Sequence, residues 1–409
     1  MNAWTKVAFV VMLGLLGLVW FGIGFELVGR WNQPLGPALD WPTLPLQTAA
    51  PTSDRRETAT APFASNELDT GIISLSPEAT LPIFPTRTPQ IHPSRARCGG
   101  PEQMLILAIG SDTRGSGYTY GLADVIRLVR VDFVNPGVTV LEFPRDLWVE
   151  IPDISDHYGI THEKLNQSYL YGNPGFGYYD GPGLGPGLLA RTLDLNFGAR
   201  PDHYMAINMQ TFVRLVDAFG GVEINLPYAV DARMADQQTR DDLYFKPGPQ
   251  RLKGREALTL ARLRIGTNAD RSAHQSLIAC ALRDSALKPS NIGRLPDIIR
   301  AFEGAVQTDL SPREISALTC LAPQIPPQNI RFVSFPEDLM TATRIYDPIF
   351  KKQVFIYNAD FNRMRLYVSA FQNGDWPAPP SAPALVSPPP EPLTPAAPAA
   401  SPGEPFSCP

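Results

Sequence analysis

Hydrophobic and polar positions follow one another along the chain in a pattern that predicts strands and helices between residues 103 and 335. Short runs rich in Val, Ile, Leu and aromatic residues predict strands at 103–109, 125–132, 137–143, 203–208, 221–226 and 329–335. Longer runs predict helices at 187–195, 209–219, 254–261, 272–287, 294–306 and 311–322. Strands and helices in this order are typical of a layered α/β domain.

An uncharged, strongly apolar run precedes this region at residues 7–25 and is long enough to cross a bilayer core. Trp20 and Phe25 come before Glu26 without the small residues of a signal-peptide cleavage site. We therefore expect residues 1–31 to be an uncleaved transmembrane anchor. The N-terminal tail is short and the following region is large and acidic, which favours an orientation with the bulk of the chain outside the cytoplasm.

Two segments differ in composition from the region between them. Residues 32–101 are rich in Pro, Thr, Ala and Ser without helical or strand periodicity, which predicts a stalk. Residues 376–409 are richer still in Pro and Ala, which predicts an extended tail. The tail could penetrate a cell wall or bind a partner, but an inert spacer is the favoured interpretation. Residues 102–375 remain as the folded domain.

Charge and cysteine content exclude some classes of protein. The net charge of −5 and the absence of a basic face exclude a general nucleic-acid binder. No Cys-x-x-Cys or His-rich pattern predicts a zinc site. Cys280 and Cys320 fall on predicted helices and could form a disulfide outside the cytoplasm, or remain buried free thiols. Cys98 and Cys408 are expected in the disordered flanks.

A cluster of cationic and amide side chains occurs between residues 258 and 275. It contains Arg262, Arg264, Arg271 and Gln275 within a chain that is acidic overall. Arg262 and Arg264 would point to the same side of an extended segment. Arg271 and Gln275, four residues apart, would lie on the same face of a helix. Guanidinium groups bind two oxygens at once, so this set suits a phosphate or pyrophosphate. Solvated surface arginines are the alternative.

Two aspartates have positions suited to a metal ion. Asp112 lies in the loop after the first predicted strand, and Asp124 comes just before the second. Carboxylates that meet at a strand end can hold Mg²⁺, which completes its shell with phosphate oxygens and water. An Asx-turn for Asp112 and a strand-start cap for Asp124 are the alternatives.

Two further polar groups interrupt apolar segments. Arg145 and Asp146 separate two strand-like runs, where a charged pair can face a cleft or form an ordinary surface ion pair. Lys164 and Asn166 lie two residues apart in an aromatic segment.

The order of these pieces resembles the LytR-CpsA-Psr family. The matching segments are Gly110 to Arg114, Ala123 with Asp124, Pro144 to Asp146, Lys164 to Asn166, Gly220 to Ile224, Leu252 to Leu258, Arg262 with Arg264, and Arg271 with Gln275. The resemblance covers most of residues 103–335, and the anchor and stalk also resemble the family's usual layout.

The resemblance implies a fold and an activity. The fold is a three-layer α/β/α sandwich with a mixed central sheet, preceded by one transmembrane helix. The activity is that of a membrane-anchored, extracytoplasmic, Mg²⁺-dependent phosphotransferase, which moves a glycan phosphate from a polyprenyl-pyrophosphate carrier to peptidoglycan or another cell-envelope acceptor. An apolar cleft for the lipid is also expected, although the pattern does not identify its lining residues.

The resemblance also implies roles for individual residues. Asp112 and Asp124 correspond to the metal ligands. The pyrophosphate-binding positions are Arg145, Lys164, Asn166, Arg262, Arg264, Arg271 and Gln275. The positions taken as catalytic are Asp124, Arg145, Arg262 and Arg264.

The chain departs from the family pattern at Leu122 and His274, where members have arginine, and at Asn268, where they have aspartate. Strand alternation predicts that Arg127 lies on the opposite face from Asp124 and cannot replace the missing arginine, whereas Arg114 in the glycine-bearing loop could. The departures leave two alternatives to transfer. One is a non-catalytic protein that binds the lipid carrier as a sensor or scaffold, and the other is a lipid pyrophosphatase.

Overall fold

The structure, a computed structural model, describes residues 31–41, 95–113, 117–231, 233, 244–263, 268–294, 305–377 and 406–408. The strands are β1 Gln103–Ser111, β2 Ala123–Asp132, β3 Gly137–Glu142, β4 Trp148–Glu150, β5 His162–Lys164, β6 His203–Asn208, β7 Val222–Leu226, β8 Val230–Asp231, β9 Tyr244–Phe245, β10 Gly248–Leu252, β11 Val306–Thr308, β12 Ile330–Ser334, β13 Met340–Asp347, β14 Lys352–Ala359 and β15 Phe406–Ser407. The α-helices are α1 Leu165–Gly172, α2 Leu184–Phe197, α3 Met209–Ala218, α4 Gly254–Arg262, α5 Asn268–Leu287, α6 Pro312–Leu321 and α7 Phe361–Asn373. Short 3₁₀ turns occupy Arg97–Gly99, Pro289–Arg294, Ala322–Gln324, Pro327–Asn329 and Glu337–Leu339.

A central mixed sheet organises the domain. Its strand order is β11-β6-β1-β2-β3-β12-β15. The β1–β6 and β3–β12 pairs are parallel, and the other neighbours are antiparallel. The six strands predicted from the sequence all form, and five of them lie in this sheet. The mixed central sheet that the resemblance implied is confirmed.

One face of the sheet is closely packed. Alternate residues of β1 and β2, among them Leu107 and Leu128, are fully buried on this side. They pack with Leu188 and Phe197 of α2 and with Phe371 of α7, which are also fully buried. Each of these two helices is followed by a glycine in the left-handed backbone conformation, Gly198 after α2 and Gly374 after α7. This face forms the main core.

The opposite face is covered in two parts. Toward one side, Met104 and Ile106 of β1 pack against Leu321 in α6 and against Leu310 just before that helix. Toward the other side, α3, α4 and α5 form a cluster of their own with β7 and β10. The helices on both faces make the domain a layered α/β structure, and a cavity lies between the second cluster and the sheet.

Two disulfides connect the flanks to the domain, and they correct the expectation for the cysteines. Cys98 bonds to Cys320 on α6, and Cys408 bonds to Cys280 on α5. Cys280 and Cys320 are therefore both oxidised but not with each other, and the idea that Cys98 and Cys408 lie in unstructured flanks is wrong. The residues before Cys408 form β15, which pairs with β12 and brings the thiol to α5. Composition could not reveal this short strand.

The described part of the predicted stalk also contacts the domain. Trp41 Nε1 donates to the Pro201 carbonyl at 2.7 Å, and Leu39 is buried in the main core. Tyr204 Oη donates to the Pro37 carbonyl at 3.0 Å.

Some sequence predictions fall outside the described residues. The predicted anchor at 7–25 is one of them, and no helix in the described ranges is both long and apolar enough to span a membrane. Most of the helix predicted at 294–306 is another, and the strand β11 begins at its last residue. Helices α1 and α7 and the β13–β14 hairpin were not predicted, because apolar and polar residues are mixed there without a clear period.

Candidate functional site

A cavity of about 520 Å³ lies between the sheet and helices α3, α4 and α5. Its apolar lining comes from the sheet and from all three helices: Ala108, Ile109, Val125, Met205, Ile207, Met209, Phe212, Leu258, Ala261, Ile278, Ala279 and Leu282. Its polar lining consists of Ser111, Asp124, Arg127, Arg145, Asn208, Arg262, Arg271 and Gln275. A volume of this size is usual for a small-molecule site.

Helix α5 places its functional side chains by simple periodicity. Arg271, Gln275, Ile278, Ala279 and Leu282 are spaced so that they fall on one helical face, and all of them line the cavity. The prediction that Arg271 and Gln275 share a face is confirmed. The same face becomes apolar toward the C-terminal end, so one helix contributes both the cationic and the hydrophobic parts of the site.

A β-bulge brings Asp124 to the cavity. Gly110 pairs with Val125 and Ser111 pairs with Ala123, so Asp124 is the extra residue on β2. A bulge interrupts the alternation of side chains and redirects the extra residue. As a result, Asp124 and Arg127 line the same cavity, and the prediction that they face opposite sides is wrong. The hydrophobic pattern gives no sign of the inserted residue.

Asp124 begins a chain of ion pairs that leads away from the cavity. Arg145 Nη1 contacts Asp124 Oδ1, and Arg145 Nε lies 3.4 Å from Asp146 Oδ2. Lys164 Nζ in turn donates to Asp146 Oδ1 at 2.8 Å. Lys164 therefore does not line the cavity but belongs to the network that holds Arg145. The backbone of Asn166 donates to the Arg145 carbonyl, so Asn166 is placed against the same loop.

Arg271 lies buried at the polar end of the cavity. Its residue exposure is 8%, and its Nε has no hydrogen-bond partner among the described residues. Burial and the nearby Arg145 lower the pKa of Arg271, whereas Glu142 and Asp124 oppose this shift. A desolvated cation without a bonded carboxylate is costly. None of the described carboxylates is bonded to Arg271, and the site is therefore suited to an anionic ligand.

Arg127 is a functional candidate that strand alternation had wrongly excluded. Its Nη2 contacts Glu142 Oε2 at 3.4 Å and donates to Gln275 Oε1 at 3.2 Å. Ser272 Oγ contacts the same Glu142 carboxylate, and Gln275 Nε2 donates to the Ala261 carbonyl at 3.1 Å. Gln275 is thus held between β2 and α4. A charged residue inside the apolar run of β2 was the available signal.

The remaining predicted site residues lie in different environments. Asp112 does not line the cavity, and its Oδ1 accepts a hydrogen bond from the Leu122 amide at 2.6 Å. Arg262 is exposed, ends α4 and lines the cavity. Arg264 lies outside the described residues, as does Arg114. In the described part of the chain, no group of three or more His, Cys, Asp and Glu side chains is gathered for a metal ion.

Comparison with known proteins identifies the family. The model of the LytR_cpsA_psr family matches residues 89–360. The chain belongs to the LytR-CpsA-Psr family. It is similar to regulatory protein MsrR of Staphylococcus aureus, with 27% identity over 212 residues that cover 51% of this chain and 57% of that protein. It is also similar to the polyisoprenyl-teichoic acid–peptidoglycan teichoic acid transferase TagU of Oceanobacillus iheyensis, with 28% identity over 216 residues that cover 52% of this chain and 61% of that protein.

These alignments span less than two thirds of either relative. Among solved structures, TagV of B. subtilis matches with a TM-score of 0.50 and 21% identity over 66% of this chain and 98% of that one. At this identity the likeness shows the LytR-CpsA-Psr fold alone.

The departures from the LytR-CpsA-Psr pattern can now be located. Leu122 holds Asp112 through its amide, and its side chain does not line the cavity. His274 is 5% exposed and is also absent from the cavity lining. The side chain of Asn268 lies outside the described residues.

Proposed function

We propose that the protein is a membrane-anchored, extracytoplasmic phosphotransferase that moves a glycopolymer from a polyprenyl-pyrophosphate carrier to peptidoglycan or another envelope acceptor. The observation that carries the proposal is the buried Arg271 at the polar end of an apolar cavity, with an Nε that has no hydrogen-bond partner among the described residues. A ligand with an anionic head and a long apolar tail satisfies both parts of that cavity. The name of the similar protein TagU specifies a polyisoprenyl-linked substrate, which supports the apolar part of this ligand.

The charge of the site supports pyrophosphate binding. Among the described residues that line the cavity, Arg127, Arg145, Arg262 and Arg271 are cationic, and Asp124 is the acidic one. Arginine can bind two phosphate oxygens with one planar group, and the bond is strong in a site with little water. The diphosphate would take over the contact that Asp124 makes with Arg145 and would give Nε of Arg271 the partner that no described residue provides.

The proposed reaction is an in-line displacement at phosphorus. An acceptor hydroxyl forms a bond to the phosphorus that carries the glycan, and the bond from that phosphorus to the bridging oxygen breaks. Polyprenyl phosphate leaves with the bonding electrons, and the hydroxyl proton is released. The fixed arginines stabilise the charge that spreads over the phosphoryl oxygens in the transition state. The Lys164–Asp146 pair positions Arg145 for this role.

Asp112 and Asp124 have the donor chemistry that Mg²⁺ requires. They lie at adjoining ends of β1 and β2, and Asp112 uses only Oδ1 for its bond to Leu122. Mg²⁺ commonly binds one or two carboxylates and takes its other ligands from phosphate and water. When bound, the ion would withdraw charge from the diphosphate. We include Mg²⁺ in the proposal on this basis.

The location outside the cytoplasm has support from the cysteines. Both disulfides close over long stretches of chain, and such bonds are rare in reducing compartments. The anchor remains a prediction from residues 7–25.

The test is a transfer assay with the full-length chain in detergent. A short-chain polyprenyl-pyrophosphate glycan, Mg²⁺ and peptidoglycan fragments are incubated with the wild type and with Asp124→Asn, and products are identified by mass spectrometry. A glycan-phosphate adduct that is lost with EDTA and in the variant supports transfer. Phosphate release without an adduct would indicate a lipid pyrophosphatase. Tight lipid binding without either product would indicate the regulatory binding protein.

A further inference from the structure

An exposed patch of aromatic side chains lies beside the candidate site. The patch, called here the aromatic patch, consists of Tyr120, His157, Tyr158, Phe176 and Tyr178. Phe176 is its centre, with ring centroids 5.6 Å from Tyr120 and 5.1 Å from Tyr178. Tyr178 stacks on His157 at 4.5 Å and lies 6.1 Å from Tyr158. The rings therefore form one continuous surface that three loops contribute.

The exposure of these rings is larger than folding requires. Tyr158 is 81% exposed, Tyr120 55% and Phe176 38%. Below them, the buried Tyr171 packs edge-on against Phe176 at 5.7 Å and completes the hydrophobic floor. A group of adjoining aromatic rings exposed to solvent commonly marks a binding site.

Tyr158 carries a second sign of a functional role. Its φ of +56° lies in the left-handed region, which Gly and Asn adopt more easily than a bulky side chain. The residue thus accepts backbone strain to hold a ring in solvent, where the ring contributes little to the core. Strain of this kind is often retained at ligand sites.

The aromatic patch is connected to the candidate site by two elements. The Gly175 amide donates to the Thr119 carbonyl at 3.0 Å, and Tyr120 Oη donates to the Gly175 carbonyl at 2.8 Å, so the patch is bonded to the loop that follows Asp112. Helix α1 runs from Lys164 at its N-cap to Tyr171 near its end, a rise of about 10 Å. Lys164 belongs to the ion-pair network that holds Arg145, so α1 links the aromatic patch to that network.

The charges around the patch restrict its occupant. Asp156 lies 3.6 Å from His157 and is largely exposed, and Asp180 lies near Tyr179, beside Tyr178. Asp153 in the same area is paired with Arg191 at 2.7 Å and adds little negative charge. Carboxylates at these positions disfavour polyphosphates, nucleic acids and anionic lipid surfaces. Aromatic faces stack well on flat, uncharged rings with apolar C–H groups, as a saccharide presents.

We propose that the aromatic patch binds the uncharged saccharide chain of the acceptor by ring stacking and so holds its hydroxyl toward the cavity. That occupant rests on the function proposed above. The same carboxylates would repel the diphosphate of the lipid carrier, so the patch is suited to the acceptor and not to the head of the donor.

The test measures binding of a short N-acetylglucosamine oligomer to the full-length chain in detergent by isothermal titration calorimetry. Tyr158→Asn and Tyr120→Ser are each expected to weaken binding about tenfold or more, a typical loss for a stacked ring. Tyr158→Asn should not lower the Tm, because Asn tolerates the left-handed conformation. Tyr346→Ser, at a tyrosine that is 59% exposed on β13, is the matched control and should bind as the wild type does.

The outcomes separate this proposal from the transferase proposal. Arg271→Leu should weaken lipid binding about 100-fold or more but leave oligomer binding intact, so a protein that fails in transfer can still show the saccharide site. Absence of oligomer binding in the wild type would overturn the proposal, as would equal binding by Tyr158→Asn and Tyr120→Ser. Binding to anionic vesicles that is lost in these two variants would assign the patch to a membrane instead and would also overturn it.

Discussion

The two faces of the central sheet differ in how completely side chains fill the space above them. Leu107 and Ala108 are neighbours on β1 and point to opposite faces. Leu107 is fully buried beneath α2 and α7, whereas Ala108 lines the cavity under α3, α4 and α5. A small side chain in a central strand leaves room for a ligand, and large ones on the other face hold the sheet in place. Stability and binding are thus concentrated on different sides of the same strands.

The charges follow the same division. On the packed face the buried groups are mainly hydrocarbon, but the cavity face holds the buried Arg271 and Arg127. A protein interior normally pairs such charges fully. Arg127 is paired with Glu142, whereas Nε of Arg271 has no hydrogen-bond partner among the described residues, so the burial of Arg271 is the cost that a bound anion would offset.

The largest effect is expected for Arg271→Leu. Removal of this guanidinium should weaken binding of a polyprenyl pyrophosphate about 100-fold or more, as is usual when a desolvated charge partner is lost. The free energy of unfolding should stay level or rise, because the variant buries no unpaired charge. Lipid titration and thermal unfolding measure the two quantities.

Arg283→Gln is the matched control on the same helix. Arg283 Nη2 donates to the Ile325 carbonyl at 2.6 Å and does not line the cavity. This variant should be less stable but bind lipid normally. If Arg271→Leu instead unfolds the protein, Arg271 is a structural residue. The assignment of stability to the packed face and of binding to the cavity face would then be wrong.

Substitution of Leu107 and of Ala108, which are neighbours on β1, tests directly whether stability and binding depend on different faces of the sheet. Leu107→Ala should lower the free energy of unfolding by about 2–5 kcal/mol through lost burial and a new void. Ala108→Phe should cost far less, because its ring enters existing space, but it should block the lipid. Denaturant unfolding and lipid titration of both variants give the comparison. Equal destabilisation by the two changes would mean that the cavity does not have room for a side chain.

The two disulfides allow the helix that lines the cavity, α5, to be compared with a helix on the same face that does not, α6. Cys280 lies on α5 directly after the cavity-lining Ala279, whereas Cys320 lies on α6 and neither it nor any other α6 residue lines the cavity. Replacement of either pair by alanine should cost about 2–4 kcal/mol. Only loss of Cys280–Cys408 should also weaken lipid binding, because it frees the helix that holds Arg271 and Gln275. A similar loss of affinity in both double variants would indicate a general loss of structure.

The disulfides also determine which fragment of the chain is suitable for experiments. A fragment of residues 99–375 would lack both Cys98 and Cys408 and would leave their partners reduced. Experiments therefore need the flanks as well as the domain.

The sequence was sufficient for the elements with a clear period. The six strands and the α5 face that joins Arg271 to Gln275 follow from alternation and helical spacing alone. The cavity itself was expected from the family resemblance, but its lining could not be chosen. That lining combines Met205 from β6, Phe212 from α3 and Ile278 from α5, which come together only through tertiary packing.

Two misses have a common physical origin. The bulge at Asp124 and the strand before Cys408 each depend on one or two residues, which produce no periodic signal. The bulge moved Asp124 to the face of Arg127, and the short strand brought Cys408 to α5. Local propensity cannot indicate such features, because long-range pairing determines them.

The smallest expected effect concerns Glu163, a buried acid outside the cavity lining. Burial, and then repulsion from Asp347, raises the pKa of Glu163 from 4.5 to about 7. The folded state therefore favours the neutral carboxyl, and ionisation costs stability. This cost is absent below the ordinary pKa of 4.5, grows as the pH rises from 4.5 to about 7, and is constant above that range.

Glu163→Gln should remove this pH dependence. The amide is permanently neutral and keeps an oxygen that can accept the bond from Gln167 Nε2, now 3.0 Å long to Glu163 Oε2. Well above pH 7 the variant should be more stable than the wild type by on the order of 1–2 kcal/mol. Glu223→Gln is the control, since Lys288 and Arg251 lower the pKa of that exposed acid. Its removal should not increase stability at high pH. A wild-type stability that does not fall between pH 4.5 and 7 relative to Glu163→Gln would show that Glu163 is ionised in the folded protein.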